Sequence, residues 1–204
     1  MIEHLIRIFD RGLRTIAGIH PLTDDIPDAP TSDLSAAEKR RAGSLMRVNH
    51  TGEVCAQALY EGQALTARDM KVRSTLQQAA KEEVEHLVWC RTRLHELDAR
   101  PSILDPFFFA TSCALGALTG VLGDRVSLGF IAATEEQVVE HLDQHIDRLP
   151  QGDGRSRAIL ERMREDELRH GTSAQKAGGV PFPMPLRRLM TSLSRIMTET
   201  TYRI

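Results

Sequence analysis

The sequence predicts an all-α fold, a four-helix bundle with an additional amphipathic helix at each terminus. Aromatic residues make up only 4% of the 204 residues, and Gly and Pro cluster between apolar-periodic segments, which favours helices over strands. Four segments carry a repeated acidic pattern, in which a single Glu is followed by a Glu-x-x-His. At this length we expect one bundle domain, residues 35–180, flanked by residues 1–34 and 181–204.

Charge and cysteine content exclude several classes of protein. The formal net charge is −2, without the basic surplus of a nucleic-acid binder, so we expect no nucleic-acid partner. Cys55, Cys90 and Cys113 are odd in number and widely spaced, which argues against a disulfide framework and a thiolate zinc site. The amino-terminal stretch mixes charged and apolar positions instead of showing a secretory signal, so we expect the protein on the cytoplasmic side.

Residues 2–19 form the first predicted helix, which is amphipathic and carries its arginines largely opposite the apolar stripe. The apolar positions are Ile2, Leu5, Ile6, Phe9, Leu13, Ile16 and Ile19. Two interpretations are open: the helix packs on the bundle, or it lies in a membrane interface with its arginines, such as Arg7, near lipid phosphates. Residues 21–33, rich in Pro and Asp, indicate a linker.

The first bundle helix should begin at a capping box formed by Ser35 and Glu38 and run to about Arg68. Glu53 lies on it among small and apolar residues, where a carboxylate is costly unless it is paired or binds a metal. His50, one turn earlier, is a rival ligand, although a single His there is more often a hydrogen-bonded core residue.

The second helix, residues 72–98, carries the first Glu-x-x-His. Glu83 and His86, three apart, share a helix face and can aim at one metal ion, although Glu82 could also share that face. Other acidic residues nearby are typical of a solvated face. Residues 106–122 then lack any charge, a little short of the roughly 20 apolar residues that a bilayer-spanning helix needs.

This apolar run allows two structures, a helix buried in the bundle or a segment that dips into one membrane leaflet and exposes Phe107, Phe108 and Phe109. We expect a mixture, with part of the run touching membrane. The run leads into Glu135 and Glu136, one of which should be buried and satisfied by a metal. His141 and His145, four apart, lack the Glu of a zinc-protease motif, so we expect hydrogen bonding or exposure for them.

The fourth helix, residues 155–177, carries Glu167 and His170, the second Glu-x-x-His, with Glu165 and Asp166 interpreted as solvated neighbours. After three prolines, the last segment repeats the basic amphipathic pattern of the amino terminus. Its apolar positions are Leu186, Leu189, Met190, Leu193, Ile196 and Met197. Two such helices together with an apolar run favour peripheral membrane association.

Two single Glu and two Glu-x-x-His on four helices are the ligand set of di-iron and di-manganese carboxylate bundles. Oxygen-rich ligands with some imidazole suit iron or manganese better than the compact tetrahedral sites of zinc. The spacing leaves open the choice between Glu82 and Glu83 and between Glu135 and Glu136. Six protein ligands cannot fill the coordination of two ions, so positions should remain where dioxygen binds.

Four segments also carry a resemblance to a known family: Arg-Val-Asn-His-Thr-Gly-Glu at 47–53, Glu-Val-Glu-His-Leu at 83–87, the 135–136 pair and Glu-Asp-Glu-Leu-Arg-His at 165–170. The chain, from about Ser35 to its carboxyl terminus, resembles the demethoxyubiquinone hydroxylases of ubiquinone biosynthesis. The resemblance implies a ferritin-like di-iron monooxygenase, bound peripherally to the cytoplasmic side of the cell membrane, that hydroxylates the ring of a polyprenyl methoxy-methyl-benzoquinone with O2. It also implies the iron ligands, with Glu83 and Glu167 as bridges: Glu53, Glu83, His86, Glu135, Glu167 and His170.

We expect one oxygen atom to enter the ring and the other to leave as water, with two electrons from an external donor. No Gly-x-Gly-x-x-Gly and no cysteine cluster is present, so NADH acting directly, or a reduced quinol, would supply them. Competing functions are an iron-oxidising or storage ferritin and a non-enzymatic quinone-lipid carrier. Isoprenoid length and oligomeric state stay open, and a homo-oligomer or a biosynthetic complex is compatible with the sequence.

Overall fold

The computed structural model describes residues 2–20 and 25–204. This part of the chain forms seven helices and contains no strand, which confirms the all-α prediction. The helices are α1 (Ile2–Ala17), α2 (Ala36–Thr66), α3 (Met70–Glu96), α4 (Asp105–Val121), α5 (Asp124–Arg148), α6 (Gly154–Lys176) and α7 (Met184–Arg203). Positions 21–24 of the predicted linker lie outside the described residues, as do the side chains of Ile2, Leu5 and Arg7.

The three ligand helices with predicted bounds, 35–68, 72–98 and 155–177, begin and end within a few residues of them, as α2, α3 and α6, because local signals set them. Ser35 caps α2 as predicted: its hydroxyl accepts from the Glu38 backbone N–H, and the Glu38 carboxylate accepts from the Ser35 N–H at 2.9 Å. The α3 cap is Asp69, whose carboxylate accepts from the backbone N–H of Lys71 at 2.6 Å. Both caps satisfy donors that a helix start leaves unpaired.

Helices α2, α3, α5 and α6 form the bundle, and its interior has two apolar clusters separated along the helix axes. One cluster contains Leu45, Leu94, Leu142, Ile159 and Leu160 with their neighbours. The other contains Tyr60, Leu76, Leu128 and Ile131 with theirs. Each of the four helices contributes to both clusters, and its Glu or Glu-x-x-His lies between those contributions. The charged residues therefore sit in a layer with apolar packing on either side.

Helix α4 packs on the outside of α2 through glycines that bring the two backbones into contact. A Cβ added at Gly62 would lie 2.1 Å from the Cys113 carbonyl oxygen, and one added at Gly116 would lie 2.2 Å from that of Leu59. Larger residues are thus excluded from this contact. The opposite face of α4 is apolar and open to solvent, with Leu118 and Leu122 about 60% exposed.

The expected mixture of burial and exposure holds for α4, but the joint exposure of three phenylalanines does not. Phe107 is 62% exposed, whereas Phe109 is only 8% exposed and packs with Val54 and Leu87. Successive helical residues point about 100° apart, so Phe107 and Phe109 must face nearly opposite sides. Across the residues that the structure covers, no helix combines the length and apolarity needed to cross a membrane.

Helix α1 attaches to the bundle through polar contacts, α7 packs Tyr202 against an apolar cluster of the bundle, and both helices turn other apolar residues outward. On α1, buried Thr15 donates to Gln57 at 2.6 Å, and Arg11 pairs with Glu61. Exposed apolar residues on α1 are Ile6, Phe9, Leu13 and Ile16, and on α7 they include Leu189, Leu193 and Ile196. Helix α1 therefore contacts the bundle through its polar side, and its apolar stripe faces away from the bundle.

Candidate metal centre

The structure brings all six predicted ligands into one buried layer. One group of potential ligand atoms comes from Glu53, Glu83, His86 and Glu167, and a second comes from Glu135, Glu167 and His170. Within each group the atoms lie within 4.8 Å of one another, and Glu167 belongs to both. None of the six residues is more than 8% exposed. The arrangement is that of two adjoining sites that share a carboxylate.

Each Glu-x-x-His turns the imidazole Nδ1 toward the carboxylates. His86 Nδ1 lies 3.2 Å from oxygens of Glu53 and of Glu83. His170 Nδ1 lies 3.1 Å from Glu167 and 3.3 Å from Glu83. The spacing of three residues places each Glu and His one turn apart on the same face, and the bundle brings the two pairs together.

The clustered charges shift the pKa values of the group in opposing directions. Burial raises the pKa of Glu53 and of Glu135 well above the usual value, and neighbouring carboxylates add to the shift. Burial also acts on Glu83, but hydrogen bonds from His170 and His86 outweigh it and lower the pKa. Burial would lower the pKa of His86 and His170, yet the carboxylates raise both, that of His170 to about 12. Positive charge close to these carboxylates therefore favours their ionised form.

The residues present fit a metal ion on their own chemistry. Among the described residues, Glu135 Oε2 is buried without a hydrogen-bond partner, while Glu83 Oε1 and Glu167 Oε1 are buried with only a histidine Nδ1 nearby, at 3.3 and 3.2 Å. Unpaired buried carboxylate oxygens are costly, and a cation between them would satisfy them and supply the missing charge. Four carboxylates with two imidazoles suit iron or manganese. That these six residues bind metal stays a prediction.

The outer nitrogen of each histidine is held by an acidic residue from the other motif. His86 Nε2 lies 3.3 Å from Asp166, and His170 Nε2 lies 2.8 Å from Glu82. Such carboxylates fix the ring orientation of metal-binding histidines. The interpretation of Asp166 as a solvated neighbour is therefore wrong, because it is only 5% exposed, whereas Glu165 is exposed.

Sequence reasoning missed this outer layer, although a signal was present. Both Glu-x-x-His motifs are preceded directly by an acidic residue, Glu82 in one and Asp166 in the other. Of the residues between which spacing left the choice open, Glu83 lies in the buried layer and Glu82 outside it, while Glu135 is buried and Glu136 pairs with Arg187 on α7 at 2.6 Å.

Tyr60 is a second residue that the sequence did not single out. Its hydroxyl donates to Glu135 at 2.6 Å, and burial raises the pKa of Tyr60 well above its usual value. Tyr60 lies two turns after Glu53 on α2, so a periodicity argument from Glu53 could have placed it on the same face. As a neutral donor beside Glu135, Tyr60 stabilises the ionised form of that carboxylate.

The other histidines that the sequence offered as candidates, His50, His141 and His145, do not join the cluster. His145 Nδ1 lies 3.0 Å from the Asn49 side-chain oxygen, and its ring contacts that of His141 with centroids 3.8 Å apart. Burial lowers the pKa of His145 to about 2. His50 Nδ1 lies 3.2 Å from Asp105 instead of facing Glu53. The expectation of hydrogen bonding is thus met for His145.

A cavity of about 610 Å³ leads from the beginning of α3 to the layer of charged residues. Its lining includes His170 and Tyr60, and it combines apolar and polar side chains where α3, α5 and α6 line it. The apolar lining residues include Leu76, Ala79, Leu128, Ile131 and Ala174, and the polar ones include Lys71, Ser74, Gln78, Glu82, Arg169 and Ser173. A planar ring of moderate size can therefore approach His170 and Glu82 through this opening.

Comparisons with known proteins agree with this geometry. The family model described as "Ubiquinone biosynthesis protein COQ7" matches residues 40–201. A 3-demethoxyubiquinol 3-hydroxylase of Cupriavidus necator is 54% identical over 209 residues, covering 100% of both chains. Proteins of the same name from Ralstonia pickettii and Burkholderia multivorans are each 51% identical, with coverage of 100% and 99% of both chains. The predicted resemblance is confirmed, and this chain belongs to the COQ7 family of ubiquinone biosynthesis proteins.

Proposed function

We propose that the protein is an O2-dependent di-iron monooxygenase that hydroxylates the ring of a demethoxyubiquinol or the corresponding quinone in ubiquinone biosynthesis. The observation that carries the proposal is the pair of carboxylate and histidine groups joined through Glu167 in a buried layer. Full-length relatives named as hydroxylases favour an enzyme over an iron store or a lipid carrier.

The six residues would hold two iron ions, which when bound supply dioxygen activation and electron transfer to the reaction. Glu83 and Glu167 lie between the two histidines and are suited to bridge both ions. Glu53 would complete the ligands of the ion beside His86, and Glu135 those of the ion beside His170. The outer carboxylates Asp166 and Glu82 hold the histidine N–H groups, so that Nδ1 of each ring stays available to an ion.

The protein itself positions the substrate and excludes water. The cavity of about 610 Å³ has room for a methoxy-methyl-benzoquinone ring, and a ring bound in it would lie beside His170 and Tyr60, which line it. Apolar packing on both sides of the charged layer shields a strong oxidant from solvent. The overall reaction replaces a ring hydrogen by hydroxyl, consumes O2, two electrons and two protons, and releases water. An external donor, NADH or a reduced quinol, would supply the electrons.

Iron loading with labelled dioxygen tests this function. Anaerobic addition of ferrous iron should give about two bound iron ions per chain, as the ligand set of this class requires. With a demethoxyquinol, a donor and isotope-labelled O2, the new ring hydroxyl should carry the label, with the second labelled atom in water. Fewer than about one iron per chain would contradict the di-iron centre, and label from solvent water in the product would contradict the monooxygenase reaction.

We also propose that the protein binds the cytoplasmic surface of the cell membrane, where a polyprenyl substrate resides. The support is the outward apolar residues of three helices, such as Phe9 on α1, Leu118 on α4 and Leu189 on α7, each more than half exposed. Exposed apolar surface of this extent marks an interaction site, and amphipathic basic helices are suited to lipid headgroups.

Sedimentation with vesicles tests the membrane proposal. The double variant Phe9→Ser, Leu189→Ser should partition into anionic phospholipid vesicles roughly 10- to 100-fold more weakly than the unsubstituted protein, because two large apolar side chains no longer enter lipid. Leu168→Ser on α6 is the matched control, since Leu168 is 52% exposed but lies on the bundle. Equal loss in the control and the double variant, or no loss in either, would argue against terminal-helix docking.

A further inference from the structure

Arg169 joins the two carboxylates that hold the outer nitrogens of the histidines. Its Nη1 donates to Asp166 Oδ1 at 2.5 Å, and its Nη2 donates to Glu82 Oε2 at 2.9 Å. Asp166 contacts His86 through its other oxygen, and Glu82 contacts His170 through the same oxygen that Arg169 binds. One guanidinium therefore connects, through two carboxylates, to both imidazoles.

The two halves of the centre differ in the cations that pair with their outer carboxylates. The residue before the histidine is Arg169 in the second motif but Glu85 in the first, and Glu85 is exposed. Asp166 has a second arginine nearby, Arg162, whose Nε lies 3.4 Å away. Arg169 is the only arginine or lysine paired with Glu82 among the described residues. Loss of Arg169 would thus leave Glu82 without a cation while Asp166 keeps one.

We propose that Arg169 is a positioning residue for the metal centre, one that orients both histidines through Asp166 and Glu82 and acts more strongly on the half held by His170. This inference rests on the proposed function, because it takes the six buried residues as the metal ligands. Its new content is that an exposed arginine outside the ligand set supports the affinity of one metal position more than that of the other.

Arg169 contributes more to the metal centre than to folding. Its side chain is about half exposed, those of its partners Asp166 and Glu82 are 7% and 28% exposed, and ion pairs reached by solvent contribute only modestly to stability. A guanidinium presents parallel N–H groups that can bind two carboxylates at once in a defined plane. Residues that hold a metal ligand from behind change metal affinity by roughly 10- to 100-fold when replaced, and Arg169 acts on two such residues. We therefore expect Arg169 to matter more for metal binding than for thermal stability.

The test compares Arg169→Gln with Arg162→Gln in anaerobic ferrous iron titrations of the full chain. Both residues lie on α6, have nearly equal exposure, 53% and 52%, and contact Asp166, but only Arg169 reaches Glu82. In Arg169→Gln, one of the two iron ions should bind about 10-fold more weakly, at the low end of the outer-residue range. In Arg162→Gln, both should bind as in the unsubstituted protein.

Mössbauer spectra of the loaded protein supply a second readout, and half-loaded Arg169→Gln should show one iron environment in excess over the other. Arg169→Lys should give an intermediate loss, since a single ammonium contacts one carboxylate well and the other poorly. This variant also serves if Arg169→Gln fails to fold. Failure of both variants to fold would assign Arg169 to stability and overturn the proposal.

The outcomes distinguish this inference from the proposed function. If the unsubstituted protein does not take two iron ions, both fail together. If it takes two, and Arg169→Gln titrates like Arg162→Gln, then only the positioning role is refuted. Equal weakening of the binding of both ions in Arg169→Gln would also refute the proposal that Arg169 acts more strongly on the half held by His170. The loss of one positive charge near the centre would then be a sufficient cause.

Discussion

Replacing Glu167 by Ala should lower ring hydroxylation by more than about 100-fold, and His170→Ala should do the same, while both variants remain helical. Glu167 belongs to both groups of potential ligand atoms, so its loss would affect both ions at once. Glu167→Gln, which keeps the volume, should be equally inactive because a neutral amide cannot replace the bridging charge. The measurement is product formation after anaerobic iron loading, with iron content determined on the same sample.

Glu165→Ala is the matched control for this prediction. Glu165 lies two residues away on the same helix and is exposed, and its ion-pair partner among the described residues is Arg162, at 3.7 Å. Its replacement should leave both iron content and activity unchanged. Hydroxylation retained by Glu167→Ala at the rate of Glu165→Ala would refute the assigned role of the carboxylate. Circular dichroism checks that the inactive variants are folded.

Replacing Gly62 by Ala should destabilise the protein, although alanine is the better helix former. A Cβ at Gly62 would lie 2.1 Å from the Cys113 backbone oxygen, so α2 and α4 would have to move apart. Overpacking of this kind costs typically about 1–3 kcal/mol. In a protein of this size each kcal/mol lowers the melting temperature by about 2–4 °C.

Gly52→Ala, on the same helix, should instead stabilise the protein. A Cβ there meets nothing within 4 Å, so the gain in helix propensity, about 1 kcal/mol, should appear as added stability. The two variants carry the same chemical change, and their unfolding free energies from urea titration should differ by about 2–4 kcal/mol. Equal stability of the two would contradict the close contact between α2 and α4.

The ligand helices could be predicted from the sequence because their determinants are local. A capping Ser35 and the spacing of Glu83 with His86 act within one or two turns of helix, where short-range hydrogen bonds and periodicity dominate. The resemblance then selected Glu83 over Glu82 and Glu135 over Glu136, and the structure places the selected residues in the buried layer. Their binding of iron remains for experiment.

Contacts between distant segments could not be predicted in the same way. Asp166 holds His86 although 80 residues separate them, and only the packing of α6 against α3 brings them together. Phe109 is buried because it faces α2, a fact that depends on how α4 rotates about its axis. The same holds for α1, which contacts the bundle through Thr15 and Arg11 and not through its apolar stripe.

By itself, then, the sequence determined the helices, their ends and the twofold pattern of Glu and Glu-x-x-His, because each depends on interactions between residues close in the chain. Only the tertiary structure showed which acidic residues support the centre from outside, such as Asp166 behind His86. Neighbouring helical positions such as Glu82 and Glu83 differ by about 100° around the axis, and the spacing of the motif alone does not say which of the two directions points inward. The rotation of each helix, set by packing of the two apolar clusters, makes that choice.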